Sequence, residues 1–132
     1  ERALALNDRV IVNDITAGEA DPRIVDVVAE AGAPYVAMHM RGTPKTMQQM
    51  TDYEDVVQSV VDYLAQRAVH LEAAGIARHN IILDPGFGFA KSVEQNFELF
   101  GQLSRYLRGC KCTLVIVRKF DKDNATIGLG CA

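Results

Sequence analysis

Short apolar runs alternate with longer amphipathic stretches along this chain, and the alternation predicts its elements. Val10-Ile11-Val12 is a β-branched run that stops at Asn13-Asp14, the mark of a strand. A turn cluster from Thr16 to Pro22 follows. Asp21-Pro22 then offers an N-cap with proline at the first helical position. The helix is predicted from Arg23 to Ala31, with Ile24, Val27 and Val28 on one face and Gly32 as its stop. Pro34 to Met40 reads as the second strand, opening into the loop Arg41-Gly42-Thr43-Pro44-Lys45-Thr46. A long helix is predicted to start near Thr51 or Asp52. Val56, Val57, Val60, Val61, Leu64, Ala68 and Leu71 stand at helical spacing in it, and Gly75 ends it. Asn80 to Asp84 reads as the third strand, apolar from Ile81 to Leu83, as a parallel strand buried on both faces should be. After the turn from Pro85 to Lys91, Ser92 caps a third helix, with Glu94 close behind, that runs to about Leu107. Thr113 to Val117 is a fourth strand, and Asp121 to Asn124 a polar turn before a short Gly-rich end.

The order β-α-β-α-β-α-β with short connections demands a parallel α/β sheet with right-handed crossovers. Function in such sheets gathers where the strands end. Those ends read Asn13-Asp14, Met38-His39-Met40, Asp84-Pro85-Gly86 and Arg118-Lys119.

Composition narrows the partners. A net charge of −3 without a basic run argues against nucleic acid and against a membrane surface. No apolar stretch approaches the roughly 20 residues that span a bilayer, and no charged-then-apolar leader is present, so a cytoplasmic protein is expected. With 132 residues, a single domain over residues 1–132 is the default. Cys110-Lys111-Cys112 has spacing that could hold a soft metal, but no second cluster completes a four-ligand site. Together with Cys131 these read as ordinary reduced thiols.

The strand ends carry candidate chemistry. A carboxylate at Asp84 could accept two hydrogen bonds from an amino-pyrimidine edge, or it could be a turn-forming aspartate before proline. Asn13 donates and accepts at once, which suits a heterocycle with mixed edges as well as a strand-end turn. Asp14 could do either job or be solvated. His39 could be a base or a ligand, although a satisfied buried histidine is the simpler role. Met38 and Met40 stand on the opposite face of the strand from it, where a pocket wall could be. Gly86-Phe87-Gly88-Phe89 lets the backbone approach a ligand and offers rings to stack on a flat one, yet it is not a phosphate-binding loop. Arg118 and Lys119 put positive charge at the end of the fourth strand, with a solvated pair as the simpler reading.

Three strings, Val12-Asn13-Asp14-Ile15, then Met38-His39-Met40-Arg41-Gly42-Thr43-Pro44-Lys45-Thr46-Met47, then Leu83-Asp84-Pro85-Gly86-Phe87-Gly88-Phe89, resemble the dihydropteroate synthase family in order and spacing. The resemblance runs from about Val10 to Leu107. It implies a partial (β/α)8 TIM-type barrel with about four parallel strands and three intervening helices. It implies a transferase of folate biosynthesis that condenses p-aminobenzoate with a dihydropterin pyrophosphate, aided by magnesium. By the same resemblance Asn13, Met38, Asp84, Phe89 and Lys119 are substrate-binding residues for the pterin. Asn13 and Asp84 would meet the pterin edge, and Met38 and Phe89 would wall its pocket.

The departures from the family are as informative. The family continues its turn as G-F-G-K, where this chain has Ala90 before Lys91, a change that is tolerable if the backbone φ there is negative. The family's G-x-S-R-K-S string survives only as Arg118-Lys119, without the glycine or the serines. The asparagine that binds magnesium and the final Arg-x-His anion site have no counterpart here, so the catalytic residues are not assigned and no metal ligand is expected in this chain. Half a barrel leaves open edges, so a truncated or partial form, associating as a homodimer or otherwise with itself, is the expectation. The alternatives are a non-catalytic pterin-binding or subunit-interface module, and a pterin-binding methyltransferase domain.

Overall fold

The computed structural model describes residues 10–102, together with Leu4 and the backbone of residues 113–117 and 126–129. The chain order is β1 (Val12–Asp14), α1 (Arg23–Ala31), β2 (Tyr35–Met38), α2 (Val56–Ala73), β3 (Ile81–Asp84), α3 (Val93–Gly101), β4 (Thr113–Val117) and β5 (Thr126–Leu129). The strands form one sheet in the order β1-β2-β3-β4-β5. The first four are parallel, as the alternation predicted. The fifth is antiparallel to β4, pairing Val117 with Thr126 and Leu114 with Leu129. The Gly-rich end thus holds a strand that periodicity did not reveal, because Thr126-Ile127-Gly128-Leu129 has no sustained alternation of its own.

Strand alternation divides the sheet into two faces. Tyr35, Ala37, Ile81 and Leu83 join one apolar cluster with Val25 and Val28 of α1, Val56, Val57, Val60, Leu64, Ala68 and Leu71 of α2, and Leu99 of α3. This is the core, between helices and sheet. Burying each of its Leu, Ile and Val side chains contributes about 1.5–3 kcal/mol before the entropy of ordering is subtracted. The intervening residues, Asn13, Val36, Met38, Ile82 and Asp84, therefore present the other face.

Element ends follow local chemistry, with several shifts from the pattern-based reading. The first strand begins at Val12 rather than Val10, and Ile11 stays 58% exposed. Helix α1 spans its predicted range and ends at Gly32 in the left-handed region, but it buries Val25 and Val28 while Ile24 and Val27 are only half-buried. Asp21 does not act as the residue immediately before the helix. Pro22 holds that position, and the Asp21 carboxylate accepts from the Arg23 N–H and guanidinium. Helix α2 starts at Val56, not near Thr51, because Asp55 caps it by accepting from Gln58 N–H at 2.8 Å. The preceding segment is held outside the helix: Thr51 O accepts from Gln95 Nε2, and Asp52 pairs with Arg41. In α3 Ser92 caps as predicted, yet its capping-box partner is Gln95, while Glu94 accepts from the Ser92 hydroxyl. The predicted extension to Leu107, the polar turn 121–124, the three cysteines, Arg118 and Lys119 lie outside the described residues.

Candidate functional site

Parallel register brings two predicted site residues side by side. Met38 and Asp84 are Cα partners at the C-terminal ends of β2 and β3. Partners across a parallel pair share a face, so both side chains stand on the face away from the helices. Asn13 is on the same face and pairs with Val36, one level below Met38. Asn13 is exposed, whereas Met38 and Asp84 are buried at 3% and 2% exposure. Phe89, half-buried, ends the turn that follows β3, where its N–H donates to Gly86 O at 3.1 Å.

Asp84 takes the turn-forming role that its sequence context offered, and one of its oxygens is left over. Its Oδ1 accepts from Gly86 N–H at 2.8 Å, which shapes the turn. Its Oδ2 has no hydrogen-bond partner among the described residues and remains able to accept. Burial raises its carboxyl to about 6, against the lowering effects of the Gly86 N–H and of nearby Lys91. A carboxylate whose charge is this costly to bury gains strongly from a donor supplied by a ligand.

The turn depends on close backbone approach. A Cβ on Gly86, at φ +69, would lie 2.1 Å from His39 O and 3.2 Å from Met38 Cγ. The His39 N–H in turn donates to Asp84 O at 2.9 Å, so the ends of β2 and β3 are stitched where the turn begins. Gly88 N–H donates to Asn96 Oδ1 of α3 at 2.9 Å. Ala90 has φ +50, so the negative angle that would make alanine harmless is not what the chain adopts. The residue is fully buried, so burial of its methyl group, worth about 0.8 kcal/mol, offsets part of a left-handed penalty of about 1–2 kcal/mol.

Behind this turn lies a buried polar cluster. Lys91 Nζ donates to Gly86 O at 3.0 Å and to Phe89 O at 2.9 Å, and stands 3.0 Å from His39 Nδ1. Burial lowers the ammonium to about 7, with Asp84 opposing that effect and Arg41 adding to it. Burial also lowers His39 to about 3, helped by the charges of Lys91 and Arg41, so its ring is neutral. Tyr63 meets that ring edge-on at 5.0 Å, and Arg41 lies 3.9 Å over the Tyr53 ring. His39 is the satisfied buried histidine of the simpler reading. Lys91 was hidden within the predicted turn. One signal could have exposed it: a lysine immediately before a helix N-cap opposes the helix dipole, so it needs another partner.

Asp14 is half-buried and takes the strand-end turn role, with both of its oxygens already accepting. Thr16 N–H and Oγ1 both donate to its Oδ1, at 2.8 and 2.7 Å, while Gly18 N–H and Tyr35 O–H donate to its Oδ2, each at 2.7 Å. Burial alone would raise this carboxyl, but the four donors outweigh it and hold it below its ordinary value. The carboxylate is consumed in fixing the loop after β1. Arg67 reinforces that loop by donating to Ala17 O.

The model of the family described as pterin binding enzyme matches residues 1–119. This chain belongs to the pterin binding enzyme family. Among curated members, the dihydropteroate synthase of Escherichia coli strain K12 is 41% identical over 96 residues, covering 73% of this chain and 34% of that protein. The dihydropteroate synthase of Thermus thermophilus superposes with a TM-score of 0.78 at 34% identity, over 86% of this chain and 44% of its own. That of Xanthomonas albilineans, solved with 4-aminobenzoic acid, gives 0.71 at 34% identity, over 80% and 36%. The chain spans a minor part of the curated relatives it matches, from 12% to 34% of their lengths. Its α/β arrangement, with a parallel sheet backed by helices, is that of part of these longer folds.

Proposed function

We propose that this chain supplies the pterin-recognition segment of a dihydropteroate synthase, the transferase that joins p-aminobenzoate to a dihydropterin pyrophosphate in folate biosynthesis. The observation that carries the reading is Asp84: a carboxylate 2% exposed, at a strand end, with one oxygen committed to Gly86 and the other without a partner among the described residues. Adjacent N–H donors on a pterin edge match that acceptor. Met38, its register partner, and Phe89, at the end of the same turn, offer the wall for a flat ring. Asn13, one level lower on the same face, adds a mixed donor and acceptor. Lys119 is assigned to the pterin on resemblance alone. The similarity to the Xanthomonas enzyme, solved with 4-aminobenzoic acid, supports the second substrate. The complete fold is read as an eight-stranded β/α barrel, and the open edges at β1 and β5 are where further strands or a second copy would join.

Among the described residues no group of three His, Cys, Asp or Glu stands together. Magnesium, expected for the full family enzyme, is assigned to no residue of this segment, because the family's metal-binding asparagine has no counterpart in it. The segment's own residues bind and orient the pterin and keep water from its edge. The test is titration of a pterin into the folded chain, paired with an assay for dihydropteroate formation. Pterin binding with little or no turnover is the expected result. Absence of pterin binding by the folded chain would refute the recognition role, and steady turnover would refute the assignment of catalysis to missing segments.

A further inference from the structure

Lys91 is 4% exposed, and its ammonium meets three acceptors that belong to two different elements. His39 Nδ1 stands at the end of β2, while Gly86 O and Phe89 O belong to the turn after β3. An ammonium carries three N–H donors and no acceptor, so donor and acceptor numbers match. The left-handed Ala90 turns the chain so that Lys91 reaches back beneath the turn.

We propose that Lys91 is a positioning residue of the pterin pocket: its ammonium clamps the 86–89 turn onto His39 and so fixes Asp84 and Phe89 as a ligand meets them. The proposal rests on the pterin reading of the site. It requires His39 Nδ1 to accept, which places the ring proton on Nε2. A neutral amine has only two N–H donors. When Lys91 loses its proton, either one acceptor is released or His39 changes tautomer and donates from Nδ1. The ionisable groups facing this site are His39 at the end of β2, Arg41 in the following loop, Tyr53 and Tyr63 from the α2 side, and Asp84 at the end of β3. Of these, Asp84 and Lys91 change charge between about pH 6 and about pH 7.

The test uses the whole 132-residue chain, 6-hydroxymethylpterin as probe, and calorimetric titration at pH 6.5 and 8.5 for wild type and Lys91→Met, each checked for folding. The ratio of the two proteins' affinities cancels the probe's own titration. Lys91→Met is expected to bind about tenfold more weakly at pH 6.5, with the gap closing to about twofold at pH 8.5, where the wild-type clamp is itself loosened. Equal affinities, or the same loss at both pH values, would overturn the proposal, because a packing role has no reason to follow pH. A second measurement needs no variant and no ligand. The 15N resonances of the His39 ring in the wild-type chain should report Nε2–H at pH 6 and move as Lys91 titrates. An Nδ1–H ring throughout would overturn the clamp. A wild-type chain that binds no pterin but shows the expected His39 behaviour would refute the pterin reading and leave the clamp standing.

Discussion

Asp84→Asn should move stability and affinity in opposite directions. The folded-state carboxyl titrates at about 6, above its ordinary value of 3.8, so the folded chain holds its proton more tightly than the unfolded chain. Stability is therefore lost as pH rises from about 4 to about 6, and at pH 7 the whole penalty is present. A rise of this size corresponds to roughly 3 kcal/mol at about 1.4 kcal/mol for each tenfold. Asparagine carries no such penalty, and its carbonyl oxygen can still accept the Gly86 N–H, so the turn survives. Asp84→Asn is then expected to be more stable at pH 7 by roughly 1–3 kcal/mol, and indistinguishable from wild type near pH 4. Its amide NH2 would face the donors of a pterin edge. Losing a hydrogen bond to a charged group costs about 1.5–3 kcal/mol, so pterin affinity should fall at least about tenfold. Urea unfolding at pH 4 and pH 7, with calorimetric titration of a pterin at matched folded concentration, reads both effects. A variant less stable at pH 7 with unchanged affinity would return Asp84 to the role of a turn-shaping residue and refute the reasoning.

Gly86→Ala should cost at least about 3 kcal/mol in a urea melt, since its Cβ meets the His39 carbonyl, whereas Gly88→Ala, with open space around it, should cost only about 1 kcal/mol; similar losses at the two positions would contradict the close approach. Asp55→Ala removes the side-chain cap of α2 and should destabilise by about 1 kcal/mol, which Asp55→Asn should largely restore. The Lys91 ammonium is lowered from 10.5 to about 7, so the unfolded chain binds the additional proton between those values and stability should rise with pH across that window. Lys91→Met should abolish that rise, and a variant that retained it would show that another group is responsible.

What the sequence revealed and what it hid divide along one physical line, the distance over which an effect acts. Repetition made α1, α2 and the parallel strands legible, because apolar spacing is a local property. Strand alternation likewise places Asn13, Met38 and Asp84 on one face once their strands are known. Asp14 is held by Thr16 and Gly18 close by in the chain, but the contact from Tyr35, 21 residues away, lies beyond any local window. Lys91 is similar: Gly86 and Phe89 are near it in sequence, while His39 is 52 residues away. The Ala90 angle is illegible for a different reason. Alanine gives no hint of a left-handed backbone, and the angle accompanies the return of Lys91 beneath the turn.

On the proposed reading, the geometry at Asp84 lets pterin recognition reside in a segment spanning 34% of its Escherichia coli relative. The contacts that fix Asp84 itself are made between β2, β3 and the turn that follows: the Met38–Asp84 register, the His39 N–H to Asp84 O, the Gly86 approach and the Lys91 contacts. None of these draws on β4 or β5. Helix α2 supports the pair through the core, and α3 holds the turn through Asn96. Recognition of a flat heterocycle needs an acceptor, a wall and a fixed turn, and one βαβ unit with the helix that follows can supply all three. Displacing a pyrophosphate is different, because the charge developing on the leaving group must be met by preorganised positive charge. Here the buried cation, Lys91, is spent on backbone carbonyls and on a neutral histidine. It cannot meet a leaving group without surrendering the turn, so on the proposed reading Lys91 is assigned to holding the turn and not to that step.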